Sequence, residues 1–169
     1  MAFTYSKIAT YTVGSGGIPS VSFLNIPQNY TDLILKVSLR ATAATSGGHL
    51  TFNSNAAGYT ESVLYGEGAT TGHASNSGSS LVWPFLTVLS TYTANTFSNG
   101  AIYIPNYTSS NFKAISADVV QENNATTSAL YAEVGLWSNT SPINSISIVS
   151  GSNFAQHSTF SLYGVKAEI

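Results

Sequence analysis

An antiparallel all-β sandwich of jelly-roll-like kind is the fold this chain predicts. Period-two alternation of apolar and polar residues recurs along it, no apolar stripe of helical spacing occurs, and Gly, Asn, Ser and Pro cut it into short segments. The clearest alternation covers residues 32–40, where Leu33, Leu35, Val37 and Leu39 share one face and Asp32, Ile34, Lys36, Ser38 and Arg40 the other. Residues 144–149 repeat it with Ile146 and Ile148, and residues 159–166 with Phe160, Leu162 and Gly164.

The remaining strands are expected, in order, at 4–13, 20–24, 50–52, 59–65, 81–86, 100–104, 112–121 and 128–137. Gly14, Gly16 and Gly17 before Pro19 supply a turn with glycine available for positive φ, and Gly47 and Gly48 do the same later. The long stretch 66–80, rich in Gly, Ala, Ser and Thr, reads as an irregular contact loop. No repeat and no Pro-rich or charged linker divides the chain, so residues 1–169 form one domain, long enough to bury a core without staples.

Composition narrows the function classes. Charged residues make up 7% of the chain against about 25% in an average protein, while 43% is hydrophobic and hydroxyl and amide groups supply most of the polarity. Such a surface suits packing against other protein. Five Lys and Arg, dispersed as Lys7, Lys36, Arg40, Lys113 and Lys166, do not form the basic stripe that nucleic acid requires. Ten Tyr, eight Phe and two Trp carry too much apolar surface for a disordered chain. The first residues lack the pattern of a secretory signal, no run is long enough for a membrane-spanning helix, and Met1 reads as a start.

No constellation points to catalysis or a cofactor. With no Cys there is no thiolate ligand or nucleophile. His49, His73 and His157 lack metal-site spacing; His73 reads as an exposed loop residue, the other two as polar groups at strand edges. Of the acids, several fall on outward-alternating faces, and Asp118 is the one that needs a partner if buried. A glycosidase-like pair, with Glu61 and Glu133 as the residues to test, has no motif behind it. The Gly-x-Gly runs at Gly14 and Gly66 lack a third glycine and a following helix, and read as turns. Asn29, Asn106, Asn124 and Asn139 open Asn-x-Ser/Thr triplets at a frequency this composition produces by chance. Among the aromatics, Tyr92 and Tyr107 beside polar turns, with Trp83 and His73, are the expected interface or glycan contacts.

Three stretches carry a resemblance: residues 5–17, YSKIATYTVGSGG; residues 21–35, VSFLNIP followed by YTDLIL; and residues 162–166, LYGVK. With Asn53, the YIPNY run of 103–107 and the GLWSN run of 135–139, the chain resembles small virion proteins of tailed bacteriophages, including those of cyanobacteria and marine bacteria. That resemblance implies a β-sandwich, often trimeric, on the outside of a capsid or tail, with the major capsid protein or a tail adaptor as partner and no cofactor. Because the first strand is expected by Tyr5, without a preceding stalk, a capsid decoration or cement subunit is the first expectation; a tail-fibre tip binding a host glycan is the second.

Overall fold

The computed structural model describes residues 3–44, 48–81, 84–124 and 128–167. These form eleven strands and, among the described residues, no helix: β1 (Phe3–Thr12), β2 (Ile18–Phe23), β3 (Asp32–Ser38), β4 (Gly48–Phe52), β5 (Tyr59–Glu67), β6 (Thr70–Gly78), β7 (Asn99–Ile104), β8 (Lys113–Gln121), β9 (Ala129–Trp137), β10 (Ile146–Phe154) and β11 (Thr159–Ala167). An eight-stranded sheet in the order β1-β11-β3-β7-β8-β9-β5-β6 packs against a three-stranded sheet, β2-β10-β4. Every strand pair is antiparallel. The fold is therefore the all-β sandwich expected; the eight-and-three division gives no support to the finer jelly-roll label, which describes eight strands.

The alternation read from the sequence sets the core. Leu33, Leu35 and Val37 of β3 are buried, and the register lines Leu162, Leu35, Ile102 and Ala117 across four neighbouring strands on the inner face. The small sheet covers them with Val21, Phe23, Leu50, Phe52, Ile146 and Ile148. Aromatic rings fill the space between: Phe52 lies 5.5 Å from Trp137, Tyr59 stacks on Trp137 at 6.1 Å, and Phe154 meets Phe160 edge-on at 4.9 Å. Each such side chain, fully buried, contributes about 2–3 kcal/mol of transfer free energy. The Tyr59 hydroxyl accepts the Phe52 N–H at 2.8 Å, so its polar end is satisfied inside the core.

Two expectations about segments are corrected. Residues 66–80 are not an irregular loop: Gly68, with φ of +57°, closes a tight turn and β6 runs back along β5 from Thr70 to Gly78. Beyond the turn, β6 is an edge strand of Thr, Ser, Asn, Gly, His and Ala, and shows none of the apolar alternation by which a half-buried strand is recognised. Residues 81–86 do not form a strand among those described; Leu81 alone bridges to Leu50, through hydrogen bonds of 2.8 and 3.0 Å, and so extends the small sheet by one residue.

Part of the Asn content has a backbone cause. Asn25, Asn53, Asn95, Asn106 and Asn124 all adopt positive φ, which Asn tolerates better than other residues with a side chain. Asn53 also ties two turns together, donating to the Pro142 carbonyl at 2.8 Å while its own amide oxygen accepts from the N–H of Asn144 and Ser145. Two of the five bases are spent internally. Arg40 donates to the carbonyls of Thr93, Thr96 and Tyr92, pinning the connection between Leu81 and β7. Buried Lys113 donates to those of Ser109 and Asn111, and burial lowers its pKa.

Candidate functional site

The inner face of the large sheet is covered, whereas its outer face is open. There the strand register places Ala132, Leu64 and His73 in one transverse row beside Asp118, and Ser116, Val134, Ser62 and Ser75 in the next. An alternating strand ordinarily turns polar residues to this side. Here Leu64 is 66% exposed, Val134 62% and Leu130 55%, forming an apolar band over β5 and β9. A cleft of about 530 Å³ runs between Leu64, Ala132, Val134 and Ser116. The hydroxyls around the band partly satisfy one another: Ser62 and Ser75 pair across strands at 2.8 Å, as Thr10 and Ser161 do at 3.0 Å farther along the face. Cross-strand hydroxyl pairs thus stand where charged pairs are common, and need little water.

Toward β1 the same face carries a second depression, of about 420 Å³, between the rings of Tyr5 and Tyr103. Ile34, Ala101 and Val165 form its apolar floor, and Ser116, Asp32 and Asp118 its polar margin. Tyr103 is held in place because its hydroxyl donates to Asp32 at 2.7 Å, while the other oxygen of that carboxylate accepts the Asn106 N–H at 2.8 Å. Burial, the hydrogen bond to Asp32 and the neighbouring charges push the Tyr103 pKa up to about 12, so the phenol stays a donor. Tyr5, 57% exposed, is the more open of the two rings. No Lys, Arg or His lines this groove; Lys36, opposite Ala101 in the row that holds Asp118, has its ammonium 5.7 Å over the ring of Tyr163.

The residues singled out from the sequence are not brought together. Tyr107 is fully buried, a correction to its expected exposure: its hydroxyl donates to the Pro27 carbonyl inside the protein. The polar turn beside it misleads because the ring itself points inward, toward Pro27 and Tyr30. Tyr92 is half-buried on the other side of the molecule, near Tyr131 and Glu67, with its carbonyl held by Arg40. His73 is exposed as expected, but on the edge strand β6. Trp83 lies outside the described residues. Among the described residues no three His, Asp or Glu side chains gather closely enough to hold a metal ion.

The acids also sort differently from the expectation. Asp118 is exposed, whereas Asp32, Glu61 and Glu133 are buried. Glu133 occupies the inner face in the same transverse row as Ala117 and Val63, and Glu61 is its diagonal neighbour on β5. Asn76 donates to Glu61 at 2.9 Å. Burial, and then the adjacent Glu61 carboxyl, push the Glu133 pKa up to about 9, so Glu133 is a neutral acid at pH 7. The fold thus assembles the carboxyl pair, but inside the protein, where a glycosidic bond does not reach it. The signal available in the sequence was parity: Glu61 and Glu133 keep step with the buried residues Val63 and Trp137 on their own strands.

No protein-family model, no curated protein and no solved structure matches this chain.

Proposed function

We propose that the chain is a structural subunit of a bacteriophage virion, a capsid decoration or cement protein that seats the open face of its large sheet on neighbouring subunits of the shell. The observation carrying this reading is the apolar band of Leu64, Val134 and Leu130, exposed on a sheet whose other face is already buried. Patches of contiguous apolar surface on a folded domain mark sites of association. The low charge of the chain, the hydroxyl pairs beside the band and the resemblance at both ends of the sequence agree with it. Burying the band between protomers or on a capsid protein stabilises the assembled state by mass action, and a trimer is the arrangement the resemblance suggests.

Quantitative gel analysis of purified particles tests the reading: hundreds of copies per particle are expected of a decoration subunit, and a handful would remove it. The second reading, a tail-fibre tip or other receptor-binding subunit, is favoured by one observation, the groove between Tyr5 and Tyr103 on the same face.

A further inference from the structure

We propose that the groove between Tyr5 and Tyr103 is a saccharide subsite that takes a neutral pyranose ring. Its lining fits that chemistry on three counts. The rings of Tyr5 and Tyr103 and the floor of Ile34, Ala101 and Val165 offer apolar surface to the C–H face of a sugar. The polar groups at the margin are side-chain hydroxyls and carboxylates, the phenols, Ser116 and Asp118, which exchange hydrogen bonds with sugar hydroxyls at short range. The volume of about 420 Å³ lies within the range of small-ligand pockets and leaves room for a ring and its substituents.

Other ligand classes fit less well. Beneath the groove β3, β7 and β8 pair with one another, so their backbone groups are committed to the sheet and offer a peptide no strand-like ladder. An anionic sugar or phosphate meets two carboxylates and no lining base. Preorganisation favours binding at this spot: Asp32 and the Asn106 N–H fix Tyr103 before any ligand arrives, so little side-chain entropy is lost there. The subsite lies to the β1 side of the apolar band and shares Ser116 and Asp118 with the cleft beside that band. In the free chain the subsite is accessible whichever role the chain has, with Tyr5 57% exposed. Sugar binding by the isolated chain and copy number on particles are separate assays that fail independently.

The test is a ¹H–¹⁵N NMR titration of the full chain with the methyl glycosides of glucose, galactose, mannose and N-acetylglucosamine. Sialic acid and lysine amide serve as the anionic and cationic comparisons. A single shallow subsite binds in the millimolar range, so concentrations up to about 50 mM cover it. At least one neutral glycoside is expected to shift Tyr5, Ala101, Tyr103 and Asp118 saturably, with sialic acid inert. Tyr5→Ala should weaken binding about tenfold or more and Asp118→Asn several-fold, both exposed positions where an otherwise unchanged spectrum shows that the fold is kept. Tyr103→Phe, which keeps the ring and frees it from Asp32, should weaken binding less than Tyr5→Ala. The proposal is overturned if no neutral glycoside shifts these residues, if the shifts fall elsewhere, or if only lysine amide binds. It is also overturned if the same residues shift with protein concentration alone, the mark of a second copy in the groove.

Discussion

The two faces of the eight-stranded sheet are built from the same strands, yet they solve opposite problems. On the inner face, Leu33, Leu35, Ile102, Phe160 and Trp137 are buried against the small sheet; the Tyr59 hydroxyl is hydrogen-bonded there and Glu133 is held neutral, while the Trp137 indole N–H has no hydrogen-bond partner among the described residues. On the outer face, Leu64, Leu130 and Val134 stand in the open at positions where an alternating strand ordinarily turns polar. The reversal also runs through the acids: Glu133 is buried in the inner row that contains Ala117, while exposed Asp118 opposes Ala132 on the outside. Stability is thus concentrated on one side of the sheet and the proposed association surface lies on the other, so single substitutions can separate them.

The largest effect is expected inside. Trp137→Ala removes the ring on which Phe52 and Tyr59 pack and should cost about 3–5 kcal/mol, read as a lower midpoint in urea unfolding. Glu133→Gln should come next, with the opposite sign. The unfolded chain releases this proton near pH 4.5 and the folded chain only near 9, so the folded state binds more protons between those values. The stability associated with Glu133 is therefore complete below about pH 4.5 and is lost as pH rises toward 9. Replacing it by neutral Gln should flatten that slope and raise stability at pH 7, measured by unfolding at a series of pH values.

A smaller loss, about 1–2 kcal/mol, is expected for Tyr59→Phe, which leaves the buried Phe52 N–H without its acceptor; the same urea titration measures it. The least change in stability belongs to the outer face. Leu64→Ser should alter unfolding by no more than about 0.5 kcal/mol while abolishing attachment to particles in a co-sedimentation assay. Equal destabilisation by Leu64→Ser and Trp137→Ala would erase the distinction between the faces.

What the sequence revealed follows the same division. The strands that cross the core announce themselves through alternating large apolar residues, as in β3 and β11, and those positions are buried as read. Strand β6 was illegible because an edge strand made of small polar residues has no buried face to write a pattern, and only the turn at Gly68 betrays it. Tyr107 misled through its polar neighbours, although its ring belongs to the core. The open face was hidden for a different reason. A Leu or Val in an alternating strand looks the same whether it meets its own core or another molecule, and only the register of β5, β8 and β9 shows that Leu64 and Val134 lie on the side away from Trp137. The groove is likewise a product of topology, since Tyr5 and Tyr103 are far apart in sequence and meet because β1 and β7 flank β11 and β3.

The absence of cysteine from the chain permits a direct test of the open face. A Val134→Cys variant carries one thiol at the centre of the apolar band, and its rate of reaction with a maleimide dye can be compared in the free subunit and in purified particles. Rapid labelling of the free subunit and strong protection in the particle are the predicted results. Equal labelling in both states, with the subunit shown to be present on the particle, would contradict the assignment of this face to assembly.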